Sequence, residues 1–96
     1  MSYDIEINNI KYYNVECIAY YDGPLDFYIE KDKMYIRWLD LIEDDDKKVN
    51  IWGLIKNVSV EIAELNYEEF IKYNFELYYT EEYIDVFLKY EKEYNF

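Results

Sequence analysis

Ninety-six residues carry 22 acidic against 10 basic side chains, fourteen tyrosines and no histidine, for a net charge of −12. That balance repels nucleic acid and anionic membranes and attracts basic proteins. The missing histidine excludes Ser-His-Asp and Cys-His catalysis, and with a single cysteine, Cys17, it also excludes a Cys/His zinc site and an internal disulfide.

The length fits one domain, residues 1–96, with a modest core. An aromatic content of 22% supplies enough buried area to set the chain apart from disordered acidic sequences of similar charge. The charge is spread evenly: residues 1–48 hold six bases and twelve acids (−6), and residues 49–96 hold four and ten (again −6). The N-terminus lacks the basic start and apolar run of a signal peptide, and no apolar stretch approaches a membrane span, so a cytoplasmic location is expected.

In chain order, Tyr3, Ile5 and Ile7 alternate with Asp4, Glu6 and Asn8, the period of a strand with one wet face. Asn8-Asn9 reads as a tight turn, because asparagine tolerates positive φ. A second strand follows, with Tyr13, Val15, Cys17, Ala19 and Tyr21 predicted inward, and Asp22-Gly23-Pro24 should reverse the chain. Leu25, Phe27 and Ile29 mark a third strand, Lys31-Asp32-Lys33 a hairpin loop, and Met34, Ile36 and Trp38 the inner face of a fourth. Residues Glu43 to Lys48 read as a solvated loop, and a fifth strand starts at Val49 and ends near Ile55. Val58 to Leu65 fits strand or helix spacing, and the strand is preferred.

Two helix starts follow. Asn66 with Glu69 resembles a capping box for a short helix through about Tyr73. Thr80 with Glu81 and Glu82 reads as an N-cap with acids facing the dipole, followed by a helical stripe of Ile84, Phe87, Leu88 and Glu91. The predicted fold is therefore α+β, an antiparallel β-meander of about five strands followed by C-terminal helices packed on one face of the sheet.

The chemistry is sparse. Gly23 and Gly53 are too far apart for a phosphate-binding loop, and no pair of carboxylates stands out in an apolar setting. The run Glu43-Asp44-Asp45-Asp46 lacks the alternating ligands and central glycine of a calcium loop. No catalysis, cofactor or metal is expected. Ten bases diluted among twenty-two acids also argue against a groove that follows a nucleic-acid backbone.

The segment Tyr20-Tyr21-Asp22-Gly23-Pro24-Leu25-Asp26-Phe27, followed by Tyr35, Trp38, Asp40 and Trp52, resembles a bacterial family of small domains of unknown function. In that family a Tyr-Tyr-Asp-x-Pro-x-x-Phe turn joins two strands. The resemblance implies a sheet and a turn, and no activity. Lys31-Asp32-Lys33 departs from it where a hairpin glycine is expected. By type, the chain also resembles small acidic phage-encoded anti-CRISPR and anti-defence inhibitors, and immunity proteins or antitoxins that block nucleases.

The functional expectation is a non-enzymatic inhibitor that mimics nucleic acid and binds a basic nuclease or nucleic-acid-guided effector. Its expected contacts are Glu43, Asp44, Asp45, Asp46, Glu68, Glu69, Tyr78, Tyr79, Glu81 and Glu82. Carboxylates would steer association and tyrosines would anchor it. The alternative is an accessory or self-associating domain, a homodimer included, held by tyrosine-rich contacts.

Overall fold

A computed structural model describes residues 2–20, 24–44, 46–81 and 84–91. Seven strands form a closed barrel in sequence order: β1 (Ser2–Ile7), β2 (Ile10–Tyr20), β3 (Pro24–Ile29), β4 (Met34–Asp44), β5 (Lys47–Ile55), β6 (Glu76–Thr80) and β7 (Val86–Lys89). Neighbours pair antiparallel except at the seam, where β1 meets β7 in parallel through Glu6↔Val86 and Ile7↔Phe87. Between β5 and β6 lie a 3-10 helix, Val60–Glu64, and one turn of α-helix, α1 (Tyr67–Phe70). The architecture corrects the α+β expectation: among the described residues no C-terminal helix lies on a sheet, because residues past β5 supply two further strands that close the barrel.

Local chemistry explains the strand boundaries. Asn8 (φ 52°) and Asn9 (φ 67°) both take the left-handed conformation that a two-residue hairpin of type I′ geometry demands. Further along β2 the register slips by one residue, since Tyr3 pairs with Val15 but Ile5 pairs with Tyr12. Asn14 absorbs the extra residue at φ 56°, and its N–H donates to Asp4 Oδ1 at 3.0 Å. This bulge corrects the inward set of β2: Tyr12 is 8% exposed and Tyr13 67%. Val15 and Cys17 do face the core, Ala19 is exposed, and Tyr21 lies outside the described residues, as do Asp22 and Gly23 of the expected turn. At the β3–β4 hairpin Lys33 adopts φ 50°, so a lysine holds the position where glycine was expected. Strands β4 and β5 extend to the Asp44↔Lys47 pair, leaving only a two-residue turn where a longer solvated loop was predicted.

The chain past Ile55 departs furthest from its sequence reading. Val58 to Leu65, for which the spacing favours a strand, holds the 3-10 helix instead and buries Ile62. Asn66 does cap α1, its Oδ1 accepting the Glu69 N–H at 2.9 Å, and the turn continues through the Tyr73 N–H to the Phe70 carbonyl. The second helix start is overturned. Thr80 is 0% exposed at the end of β6, opposite Asn50, with its hydroxyl accepting the Trp52 indole N–H at 2.9 Å. Of the supposed stripe only Phe87 is buried, while Val86 and Leu88 on either side are exposed, which is strand alternation. The tertiary reason is the unpaired edges of β6 and β1. A four-residue strand satisfies both ladders, which a surface helix would leave open.

Two hydrophobic clusters result. Inside the barrel, Ile5, Ile7, Phe27, Ile36, Trp52, Leu54, Tyr78 and Phe87 pack together. Phe27, Trp52 and Phe87 form its aromatic centre, with centroids 5.2–6.4 Å apart. Outside, the 56–75 segment covers one flank, where Tyr35, Leu39, Val49, Ile51 and Ile55 pack against Ile62 and Phe70. Strand β5 is therefore buried on both faces from Ile51 to Ile55, which matches its uninterrupted apolar run.

Candidate functional site

Strand direction decides which charges meet. β4 and β6 run toward the turn at Asp46, and β1, β5 and β7 run away from it. Glu43 and Asp46 of the β4–β5 hairpin therefore share one barrel end with Glu81, which follows Thr80, with Asp85, just before β7, and with Asp4 near the start of β1. All five are exposed. Lys47 and Lys48 lie on the same hairpin. The opposite end holds the turns at Asn8-Asn9 and at residues 30–33 and the end of β5, with Lys31, Lys33, Lys56 and Lys89. There Lys56 and Lys89 both approach Glu76, at 3.7 Å each. Charge that is even along the sequence is thus gathered in part at one end, where acids outnumber Lys47 and Lys48, although Asp4 and Asp85 also share a cleft of about 320 Å³ with Lys11.

The expected contact residues divide accordingly. Glu43, Asp46 and Glu81 come together at the acidic rim. Asp44 contributes its backbone to the end of β4, paired with Lys47. Asp45 and Glu82 lie outside the described residues. Glu68 and Glu69 are exposed on the first turn of α1, in the outer layer. Tyr78 is 1% exposed inside the barrel, so its side chain has no area left for a partner. Its hydroxyl accepts from Asn8 Nδ2 at 2.8 Å and donates to Glu76 Oε2 at 3.3 Å. Tyr79 is half-buried on the outer face, edge-on to Tyr90 at 5.9 Å. Asp4 and Asp85 were missed at the rim, because only the pairing of β1 with β7 brings them there.

A second feature lies on the flank. Asp26 is buried, and its Oδ2 accepts the Tyr35 hydroxyl at 2.6 Å. Directly across the ladder, Arg37 donates through Nη1 to the Leu65 carbonyl at 2.7 Å and lies 5.3 Å over the Phe70 ring. Burial, with the Asp26 hydrogen bond and charge, pushes the Tyr35 hydroxyl pKa well above its usual value, and the Arg37 charge opposes that only in part. Asp26, Tyr35 and Arg37 line a cleft of about 510 Å³ with Trp38, Leu39 and Tyr67. Sequence reading placed Asp26 on a wet face. The one signal of its burial was a lone acid within Leu25-Asp26-Phe27-Tyr28-Ile29.

Tyr12 behaves similarly at the lysine-bearing rim. Burial first, then the hydrogen bond to Asp32 Oδ2 at 2.5 Å and that carboxylate's charge, push its pKa up to about 12.

No family model, curated protein or solved structure matches this chain.

The resemblance to the Tyr-Tyr-Asp-x-Pro-x-x-Phe domains therefore gains no support from these comparisons. Among the described residues, no three acidic or cysteine side chains are grouped so as to hold a metal ion, and no helix is long and apolar enough to cross a membrane.

Proposed function

We propose that this chain is a non-enzymatic acidic inhibitor that occupies a basic, nucleic-acid-binding surface of another protein, of the anti-defence kind or as an immunity protein against a nuclease. The observation that carries this reading is the gathering of Asp4, Glu43, Asp46, Glu81 and Asp85 at one end of a small barrel. Carboxylates spaced along turns and strand ends present separated negative charges to a cationic groove, steer its approach and lose effect as salt rises. The outer layer adds further exposed acids, Glu61, Glu64, Glu68 and Glu69, on one flank.

The test is inhibition in trans. A basic nuclease captured on the protein should lose binding to a DNA oligonucleotide when the protein is added, with the effect falling steeply between low and high salt. The triple variant Glu43→Lys, Asp46→Lys, Glu81→Lys should abolish inhibition, while Glu30→Lys at the opposite end should not. Equal inhibition by the wild type and the triple variant would remove the rim from the mechanism.

A second reading, a self-associating or accessory domain, is favoured by one observation. Tyr13 (67% exposed), Val60 (53%) and Ile18 (44%) line a shared groove of about 580 Å³ beside β2. Association through that groove would be nearly insensitive to salt, and Ile18→Ser would weaken it while leaving rim-dependent inhibition intact.

A further inference from the structure

The acidic rim makes no use of Asp26. This carboxylate is 6% exposed, and while Oδ2 is held by Tyr35, Oδ1 has no hydrogen-bond partner. An unsatisfied buried acceptor carries the full cost of its lost hydration. The natural partner stands directly opposite in the ladder, since Asp26 and Arg37 are paired residues of β3 and β4. Arg37 is held elsewhere, by the Leu65 carbonyl and the Phe70 ring. The result is one acid and one base, not joined to each other, in the lining of a single cleft whose other walls include Leu25, Leu39, Trp38 and Tyr67.

We infer that this cleft binds a small zwitterion, a free α-amino acid with an apolar or aromatic side chain. Its ammonium group is taken by Asp26, its carboxylate by the Arg37 N–H groups that Leu65 leaves unused, and its side chain by the apolar and aromatic walls.

Charge selects this class. A lone cation entering the cleft meets Arg37, and a lone anion meets Asp26. A ligand carrying both charges pairs each one and leaves no net charge buried. Guanidinium offers five N–H donors in a fork that fits a carboxylate, and one donor spent on a carbonyl leaves the others. A cleft of about 510 Å³ is of the size that holds small ligands. Oδ1 itself is closed to solvent in this arrangement. The terminal torsion of aspartate is broad, so a turn of the carboxylate presents an oxygen to the ligand while Tyr35 keeps its bond to the group. The site goes beyond the partner-binding reading and is independent of the acidic rim.

The experiment is a titration of the isotope-labelled protein, followed by amide and indole NMR signals, with free L-phenylalanine, N-acetyl-L-phenylalanine and L-phenylalanine amide. Free phenylalanine should give saturable shifts at Asp26, Arg37 and the Trp38 indole. Each blocked derivative should bind about tenfold or more weakly, because each lacks one of the two charges. Asp26→Asn, which keeps an acceptor for Tyr35, should weaken the free amino acid by a similar factor while the near-ultraviolet circular dichroism stays native. Should that variant fail to fold, the two blocked derivatives decide by themselves. Equal binding of all three compounds would mean only apolar contact, and absence of saturable shifts with free phenylalanine would mean that water alone serves Asp26; either result overturns the proposal. Neither bears on the rim, whose lysine variants leave this cleft unchanged.

Discussion

Replacing Gly53 with alanine tests the outer layer of the barrel directly. Gly53 sits in mid-β5, opposite Arg37 on one side and Leu77 on the other. A Cβ built there would lie 3.1 Å from Phe70 Cε1, 3.2 Å from Phe70 Cζ and 3.2 Å from Phe75 Cδ2. Ordinary carbon contacts need about 3.5–4.0 Å, so two rings must each give by a few tenths of an ångström. They are poorly placed to do so: Phe70 is 0% exposed, and it stacks on Phe75 with centroids 5.4 Å apart. Overpacking of this kind costs about 1–3 kcal/mol. Restricting the unfolded chain returns roughly 0.5–1 kcal/mol. The net loss is about 1 kcal/mol, which for a domain of this size lowers Tm by about 4–8 °C. Thermal and urea unfolding of the variant measures it. Adding Phe70→Leu removes the two ring atoms nearest the new methyl, so the double variant should lose less than the sum of the single losses. If Gly53→Ala is as stable as the parent, or if the two changes simply add, residues 66–75 do not pack on β5 as described.

Three other outcomes are expected. Trp52→Phe keeps most of the core ring but strands the Thr80 hydroxyl, which is 0% exposed and accepts the indole N–H at 2.9 Å; denaturant unfolding should show a loss of about 1–3 kcal/mol, and adding Thr80→Val should recover part of it. Asn14→Gly should be tolerated at φ 56°, whereas Asn14→Val should cost at least about 1–2 kcal/mol, read by the same unfolding midpoints. Stability should fall as pH rises from about 10 toward about 12, because the folded state holds the Tyr12 proton that the unfolded chain has already released. Below that window the group contributes no pH dependence, and Tyr35, raised still further, adds to the loss in the same direction. Urea unfolding at stepped alkaline pH, with tyrosine ionisation followed by absorbance, checks the sign. Stability that rises across that range would contradict the burial of both hydroxyls.

The part of the fold legible in the sequence was the part governed by local rules. Alternation placed the first five strands, Asn8-Asn9 marked a hairpin, and Asn66 with Glu69 marked a helix start, because turn conformation and capping depend on residues a few positions apart. Reading failed wherever a distant partner decided. Thr80 with Glu81 has the form of an N-cap, and nothing nearby signals that Trp52 has already claimed the hydroxyl. Ile84, Phe87 and Leu88 fit a helix until the open edges of β6 and β1 recruit Val86–Lys89 as a strand. The Asn14 bulge exchanged Tyr12 for Tyr13 because a one-residue slip moves a side chain to the other face.

The same division holds for the candidate sites. Composition alone determined that this is a strongly acidic domain without histidine chemistry, since charge and residue types do not depend on folding. Where the charge sits was a tertiary outcome. The sequence divides it evenly, −6 and −6, while strand direction carries Asp4, Glu43, Asp46, Glu81 and Asp85 to one rim. Asp26 reads as one more solvated acid of an alternating strand. The β3–β4 pairing sets it opposite Arg37 and within reach of Tyr35, and Ala63 and Tyr67 of the segment that folds back wall the same cleft.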